Sequence, residues 1–108
     1  MILITVKLPI RPDKMSEWRE LSAFYAAAVN AEPGCQFFEF TQSVDEPNTF
    51  VCIEGFTDAA AGQSHMQQAH VARFMSEMPD IVSAQPKIVY VDADEVTGFV
   101  DMGEITPR

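Results

Sequence analysis

The order of strand-like and helix-like segments most constrains the fold of this chain of 108 residues. Apolar side chains alternate with period two over residues 2–8, which predicts a strand. They then recur at helical spacing after Pro12, and Asp13 is expected to be the N-cap of that helix. Two more strands are predicted at Cys35–Gln42 and Thr49–Phe56, with a polar turn between them.

The second half of the chain continues with helical segments and one strand. Thr57 or Asp58 is expected to cap a short, weak helix. A further helical segment has apolar residues at i, i+3, i+4 and i+7, and the last strand is predicted at residues 87–91. The order β-α-β-β-α-β predicts an α+β fold, the ferredoxin-like plait, with an antiparallel sheet and both helical regions on one face.

The hairpin predicted in the middle of the chain is apolar on both faces. One predicted face carries Gln36, Phe38, Phe40, Cys52, Glu54 and Phe56. The other carries Cys35, Phe37, Glu39, Val51 and Ile53. Because helices cover only one face, the second face needs another cover, and a two-fold-related copy of the same sheet is the simplest one. The sequence therefore predicts a homodimer with an eight-stranded, barrel-like centre.

The chain is predicted to divide into a ferredoxin-like domain at residues 1–93 and a C-terminal tail at residues 94–108. A chain of this length is too short for two separate cores. The tail contains several large apolar residues, so we expect it to pack on the partner subunit rather than extend into water. Those residues are Val96, Phe99, Val100, Met102 and Ile105.

Charge and hydropathy exclude several classes of partner. Sixteen acidic residues against seven basic ones give a net charge of −9, which disfavours nucleic acid and anionic membrane surfaces. No run approaches the ~20 apolar residues of a membrane span, and no signal peptide is visible, so a cytoplasmic protein is expected. Cys35 and Cys52 are predicted to lie roughly 17 Å apart on the hairpin, too far for a disulfide.

Several short motifs occur in an order that resembles a known family. They are residues 10–14 (Ile-Arg-Pro-Asp-Lys), 32–35 (Glu-Pro-Gly-Cys) and 45–51, then Glu54, Phe56, His65, His70, Phe74, Pro86, Ile88 and Tyr90. Over roughly residues 1–92 the chain resembles the antibiotic biosynthesis monooxygenase domain, and the resemblance implies a dimeric α+β barrel. That family includes cofactor-independent monooxygenases of quinols and polycyclic phenols, and also haem-degrading members.

The residues at the positions of the family's haem site argue against haem and metals. Where haem-degrading members carry an Asn, a Trp and an axial His, this chain aligns Val6, His65 and a position near Met75. His65 and His70 are five residues apart, which is about 140° of rotation on a regular helix, so they are not expected to share a metal. The sequence therefore predicts neither a cofactor nor a metal.

A cofactor-independent oxygenase needs a base with a pKa near neutrality and an apolar pocket for a flat ring. Histidine meets the first requirement, and His65 is the preferred base. Glu54 is the second candidate catalytic residue, as the group that orients the histidine or accepts a substrate hydroxyl. A pocket between the sheet and the helices of one subunit is expected to bind a small aromatic substrate. Its candidate lining residues are Val6, Trp18, Tyr25, Phe38, Phe40, Phe56, His70 and Phe74.

The same residues also fit structural roles. His65 could brace a junction between two helical segments, Glu54 could form an ion pair across the dimer, and the aromatic cluster could be plain core. Two functions therefore stay open: a small monooxygenase for a quinol or hydroxylated aromatic, or a non-catalytic dimer that binds a small ligand or none. The enzyme predicts a closed aromatic pocket with a histidine pointing into it. The binding protein predicts that His65 points outward or is fully hydrogen-bonded, with the pocket collapsed.

Overall fold

The computed structural model describes all 108 residues, and it has a four-stranded antiparallel sheet with the strand order β2-β3-β1-β4. The elements are β1 Ile2–Pro9, α1 Met15–Asn30, β2 Cys35–Gln42, β3 Thr49–Phe56, α2 Ala59–Met66, α3 Ala69–Glu77 and β4 Lys87–Asp92. The three helices pack on one face of the sheet and bury the core there. This arrangement confirms the predicted ferredoxin-like plait.

The start of α1 differs from the prediction. A short 3-10 turn at Pro12–Lys14 precedes the helix, and the cap residue Lys14 makes no side-chain capping bond. The Asp13 carboxylate instead accepts a hydrogen bond from the Arg11 guanidinium at 2.9 Å, so the prediction of Asp13 as N-cap is wrong. The proline at the first position of the turn favours this early 3-10 start because it lacks a backbone N–H.

The helical part of the second half is broken in two. The Asp58 carboxylate caps α2 by accepting a hydrogen bond from the Ala61 N–H at 2.8 Å, which confirms one of the two predicted caps. α2 then ends at Met66, and Gln68 is extended, with φ −75° and ψ 144°, before α3 begins at Ala69. The chain therefore changes direction between His65 and His70.

The β2–β3 hairpin has the predicted register except at its first residues. Phe40 lies opposite Cys52, as predicted, and Phe38 lies opposite Glu54. An irregularity between Cys35 and Phe37 shifts the first pair, so that Cys35 lies opposite Phe56 and packs on the helix-covered core. The predicted faces of Cys35 and Gln36 are therefore wrong, because one bulged residue reverses the side-chain alternation.

The core fills the space between the sheet and the helices. Its largest fully buried side chains are Trp18, Phe56, Ile2, Ile10, Leu21 and Val29. The indole of Trp18 meets Phe40 edge-on, with the ring centroids 5.0 Å apart. No helix of the structure is both long enough and apolar enough to cross a membrane.

The sheet face opposite the helices remains partly apolar and carries part of the tail. Val89 and Val91 of β4 are exposed, and Phe37, Val51 and Ile53 are half-buried. The ring of Phe99 in the tail lies 4.7 Å from that of Phe37, whereas Val100, Met102 and Ile105 are exposed. The division at residue 93 and the packing of the tail on a partner stay predictions.

Candidate functional site

A cavity of 680 Å³ lies between the sheet and the α2–α3 region, within the size range of small-molecule sites. Its sheet side is formed by residues of all four strands, and α2 and α3 form the opposite wall. Most of the lining is apolar, and a few polar groups lie among the apolar ones. The polar or titratable lining residues are Tyr25, Cys52, Glu54, Gln63, His65, Gln67, Gln85 and Tyr90.

Eight of the ten residues predicted for the site line this cavity. They are Val6, Tyr25, Phe38, Phe40, Glu54, Phe56, His65 and Phe74. Trp18 does not, because it is fully buried behind Phe40 and Phe74 and supports the cavity wall from the core side. His70 does not either, because its ring is directed towards Glu32. Val6, His65 and Met75, the three positions compared with the haem-binding members, also line the cavity.

His65 lies in the last turn of α2, is 4% exposed and forms a buried pair with Glu32. Its Nδ1 lies 2.9 Å from Glu32 Oε2 and 3.2 Å from Oε1. Because an ionised carboxylate only accepts, this contact assigns a proton to Nδ1 and leaves Nε2 of a neutral imidazole as the acceptor. Nε2 is 3.5 Å from the hydroxyl oxygen of Tyr25, another cavity residue.

Glu32 is the site residue that the sequence reasoning missed. It follows α1, in the turn that leads into β2, and its backbone carbonyl accepts a hydrogen bond from the Cys35 N–H. Gly34 of this turn touches α2 so closely that a Cβ there would lie 2.4 Å from Ala61 Cβ. This close approach brings the carboxylate of Glu32 next to His65. Glu32 is part of the Glu-Pro-Gly-Cys motif, but no local pattern links it to a histidine 33 positions away.

His70 joins the same carboxylate from the start of α3. Its Nε2–H donates to Glu32 Oε2 at 2.6 Å, and its ring lies 6.4 Å from the ring of His65. The prediction that the two histidines diverge is wrong, because it assumed one continuous helix through the break at Gln67 and Gln68. The ligand atoms of Glu32, His65 and His70 all lie within 4.8 Å of one another.

Glu54 is a second buried carboxyl group, on β3, and it differs from Glu32 in its partners. It accepts a hydrogen bond from the Cys52 thiol at 3.1 Å and makes no ion pair with a lysine or arginine. Burial raises the pKa of Glu54, although the Cys52 hydrogen bond and the nearby His65 lower it in part. The carboxylate that contacts His65 is Glu32, and the role of Glu54 stays a prediction.

Tyr25 and Cys52, two further titratable groups of the cavity, stay neutral at ordinary pH. Burial, with the nearby charge of Glu54 as the next cause, raises the pKa of the Tyr25 hydroxyl and that of the Cys52 thiol. Cys35 and Cys52 are free, and burial raises the pKa of Cys35 to about 11, so neither is an activated thiol. The cavity therefore offers one imidazole, one buried carboxyl group and the phenols of Tyr25 and Tyr90 as its proton-handling groups.

The fold and the site define a small α+β domain with an aromatic cavity and a histidine–glutamate pair on its wall. Residues 1–77 match the family model described as antibiotic biosynthesis monooxygenase. Since this match covers more than half of the chain, the protein belongs to the antibiotic biosynthesis monooxygenase family.

Curated relatives align with most of the chain. An uncharacterized protein of Synechocystis, sll1783, is 28% identical over 97 residues, which are 89% of this chain. This chain spans 66% of the length of that relative. A protein of Bacillus subtilis whose name is "Putative monooxygenase YcnE" is 27% identical over 95 residues, which are 88% of this chain and all of the relative.

Solved structures share the fold at lower identity. A crystal structure of an antibiotic biosynthesis monooxygenase superposes with a TM-score of 0.79 at 22% identity, over 86% of this chain and 98% of the other. Rv0793 from Mycobacterium tuberculosis superposes with a TM-score of 0.81 at 18% identity, over 90% and 98% of the two chains. At these identities the likeness establishes the fold.

Proposed function

We propose that this protein is a cofactor-independent monooxygenase that oxidises a quinol or another hydroxylated aromatic with O2. The observation that supports the proposal best is the His65–Glu32 pair on the wall of an aromatic cavity. Glu32 holds Nδ1 of His65, so the second ring nitrogen is available as a base. A carboxylate that orients a catalytic imidazole in this way is a recurrent arrangement for proton abstraction.

His65 begins the proposed reaction by taking the proton of a substrate hydroxyl on Nε2. The resulting aromatic anion gives one electron to O2, and the two radicals combine at a ring carbon to form a hydroperoxide. Cleavage of its O–O bond releases water and leaves one oxygen atom on the ring. A quinol and O2 thus give a hydroxyquinone and water, and the quinol supplies all the electrons, so the balance requires no other reductant.

The cavity residues supply the remaining requirements. Phe38, Phe40 and Phe74 offer faces and edges for a flat ring, and Tyr25 and Phe74 stack with their ring centroids 4.1 Å apart. The raised pKa of Glu54 favours its neutral form, which can donate a hydrogen bond to a substrate or peroxide oxygen. A cavity with mostly apolar walls also limits the water that could hydrolyse or protonate the intermediates.

Oxygen uptake with a panel of reduced quinones and hydroxylated polycyclic aromatics tests the proposed activity. We expect the protein to consume O2 with at least one of them and His65→Ala to be ~10²-fold slower or more. Ser64→Ala is the matched control, because Ser64 is the exposed neighbour of His65 on α2. Failure of the unmodified protein to oxidise any substrate would contradict the proposal.

A second candidate function, small-ligand binding without turnover, is favoured by one observation. Every buried side-chain nitrogen and oxygen already has a hydrogen-bond partner within the chain. His65 Nε2 is included through the contact with Tyr25, although 3.5 Å makes this a weak bond that a substrate hydroxyl could replace. Saturable binding of an aromatic ligand, with no oxygen uptake, would favour this second function.

We further propose that the active form is a homodimer joined through the outer faces of the two sheets. The outer face presents Val51, Ile53, Val89 and Val91, and β4 is exposed along its whole length. A second copy of the sheet would bury these side chains, and the apolar tail beyond residue 93 could extend across the partner. Obligate interfaces of this kind usually bury more than ~2,000 Å² in total.

A further inference from the structure

We infer that Glu32, His65 and His70 form a binding site for a divalent transition-metal ion of the zinc class, behind the wall of the cavity. The three side chains come from three separate segments of the chain: the turn after α1, the end of α2 and the start of α3. Two imidazole nitrogens and one carboxylate are a common ligand set for Zn²⁺, with further coordination positions left for water. On one continuous helix the two imidazoles would diverge, but the break between α2 and α3 brings them to the same carboxylate.

The distances between the ligand atoms are close to those of such a site. Four ligands at the Zn–N and Zn–O bond lengths of a tetrahedral ion lie about 3.4 Å from one another. Here Glu32 Oε2 is 2.9 Å from His65 Nδ1 and 2.6 Å from His70 Nε2, and the three ligand atoms lie within 4.8 Å of one another. Ring rotations that move these atoms by less than about 1 Å would admit the ion.

Burial and charge also favour a cation at this point. The side chains of Glu32, His65 and His70 are 8%, 6% and 15% exposed. Folding has therefore already removed most of the water from these side chains and ordered them, so metal binding would require little further desolvation. The arginine salt bridges of the structure are Arg11–Asp13 and Arg73–Glu77, both at the surface, so no arginine or lysine neutralises the carboxylate of Glu32.

Tyr25 completes the surroundings of the site. A metal-bound imidazole usually donates its second N–H to a neighbouring oxygen, which fixes the orientation of the ring. With the ion on Nδ1 of His65, the proton lies on Nε2, and the hydroxyl oxygen of Tyr25 is 3.5 Å away to accept it. His70 and Glu32 do not line the cavity, so the ion would be separated from a substrate by the imidazole of His65.

The proposed metal would regulate the site rather than take part in the reaction. An imidazole that coordinates through Nδ1 and carries its proton on Nε2 has no free lone pair for a substrate proton. Zn²⁺ should therefore inhibit the oxygenase. This consequence rests on the proposed function, whereas metal binding itself does not.

Calorimetric titration of the EDTA-treated full-length chain with zinc chloride tests the inference without any substrate. We expect one Zn²⁺ per chain with a Kd in the micromolar range or tighter. His70→Gln can still donate a hydrogen bond to Glu32 but lacks an imidazole, and it should weaken binding at least ~10- to 100-fold, the usual effect of losing even an outer partner of a metal site. Glu20→Gln, an exposed acid on α1, is the matched control and should bind like the unmodified protein.

Absorption of the Co²⁺-loaded protein gives a second measurement. We expect visible d–d bands of low-coordinate cobalt in the unmodified chain and their loss in His70→Gln, with unchanged circular dichroism. A Kd in the millimolar range, or equal affinity in the unmodified chain and His70→Gln, would overturn the inference. Zinc binding in a protein that oxidises no quinol would leave the metal site in place and contradict only the proposed function.

Discussion

At the scale of single residues, the two buried carboxyl groups differ in how well hydrogen bonds compensate for their burial. Glu32 accepts hydrogen bonds from two imidazoles, and these charge-assisted contacts offset the free-energy cost of burying its carboxylate. Glu54 has only the weak thiol donor of Cys52, and burial raises its pKa. Each unit of raised pKa corresponds to about 1.4 kcal/mol between the two protonation states.

Glu54 should make the stability of the protein depend on pH. Because its pKa in the folded protein is raised above the ordinary 4.5, the folded state binds its proton more tightly than the unfolded state does. The contribution of Glu54 to stability is therefore full below pH 4.5 and is lost as the pH rises through its folded-state pKa. We expect Glu54→Gln to flatten this loss as the pH rises above 4.5, measured by urea unfolding at a series of pH values.

The exposed substitution Glu20→Gln should leave the same pH profile unchanged. A Glu54→Gln protein whose stability falls with pH as steeply as that of the unmodified chain would contradict the assignment.

His65 should contribute to stability more than its sequence context suggested. A histidine outside a tight core would change stability by only about 1 kcal/mol when replaced by alanine. In the structure the ring is buried and donates to Glu32, so its removal leaves a buried carboxylate with His70 as its remaining side-chain partner. We expect His65→Ala to lower the free energy of unfolding, measured with denaturant, by ~1–3 kcal/mol. A decrease below ~0.5 kcal/mol would show that the His65–Glu32 pair is weak.

At the scale of elements, the site depends on how the turn after α1 contacts α2. Local patterns were sufficient to predict the strands, α1 and a helix cap at Thr57 or Asp58, because each signal lies within a few residues. Two helical segments that meet near His65 are predicted from the sequence, but no local signal places the break at Gln67 and Gln68, since glutamine is a good helix former. Glu32 could not be assigned for the same reason, because its partners are 33 and 38 positions away and meet it only through tertiary packing.

Gly34 should be required for this turn-to-helix contact. Gly34→Ala would place a methyl group 2.4 Å from Ala61 Cβ, and we expect a loss of ~1–3 kcal/mol from overpacking. Gly103→Ala is the control, because nothing lies within 4 Å of a Cβ at that position. In an Ala61→Gly background the cost of Gly34→Ala should fall, and an equal cost in both backgrounds would place the strain elsewhere.

At the scale of the whole molecule, the question is what covers the outer face of the sheet. The sequence predicted two apolar hairpin faces, and the structure places the helices over only one of them. The register of Cys35 and Gln36 could not be predicted, because a bulge changes the alternation without a distinctive residue pattern. The exposed valines of β4 remain without a cover in the single chain.

Ile53→Asp tests the proposed dimer. We expect light scattering to give about twice the 12.0 kDa chain mass for the unmodified protein and a shift towards the monomer for the variant, because a charge would be buried without a partner. Ala72→Asp, on the exposed side of α3, should stay dimeric. A monodisperse monomer of the unmodified protein at micromolar concentration would contradict the proposed assembly.

The central claim is that His65, oriented by Glu32, is the base of a cofactor-independent oxygenation. Its most direct test is the rate of O2 uptake with reduced quinones, measured on the EDTA-treated protein and on His65→Ala, with product mass after reaction in ¹⁸O2. We predict one ¹⁸O atom in the quinone product and a rate that falls ~10²-fold or more in His65→Ala, while Ser64→Ala keeps the full rate. Equal rates for His65→Ala and the unmodified protein, when both are folded, would contradict it.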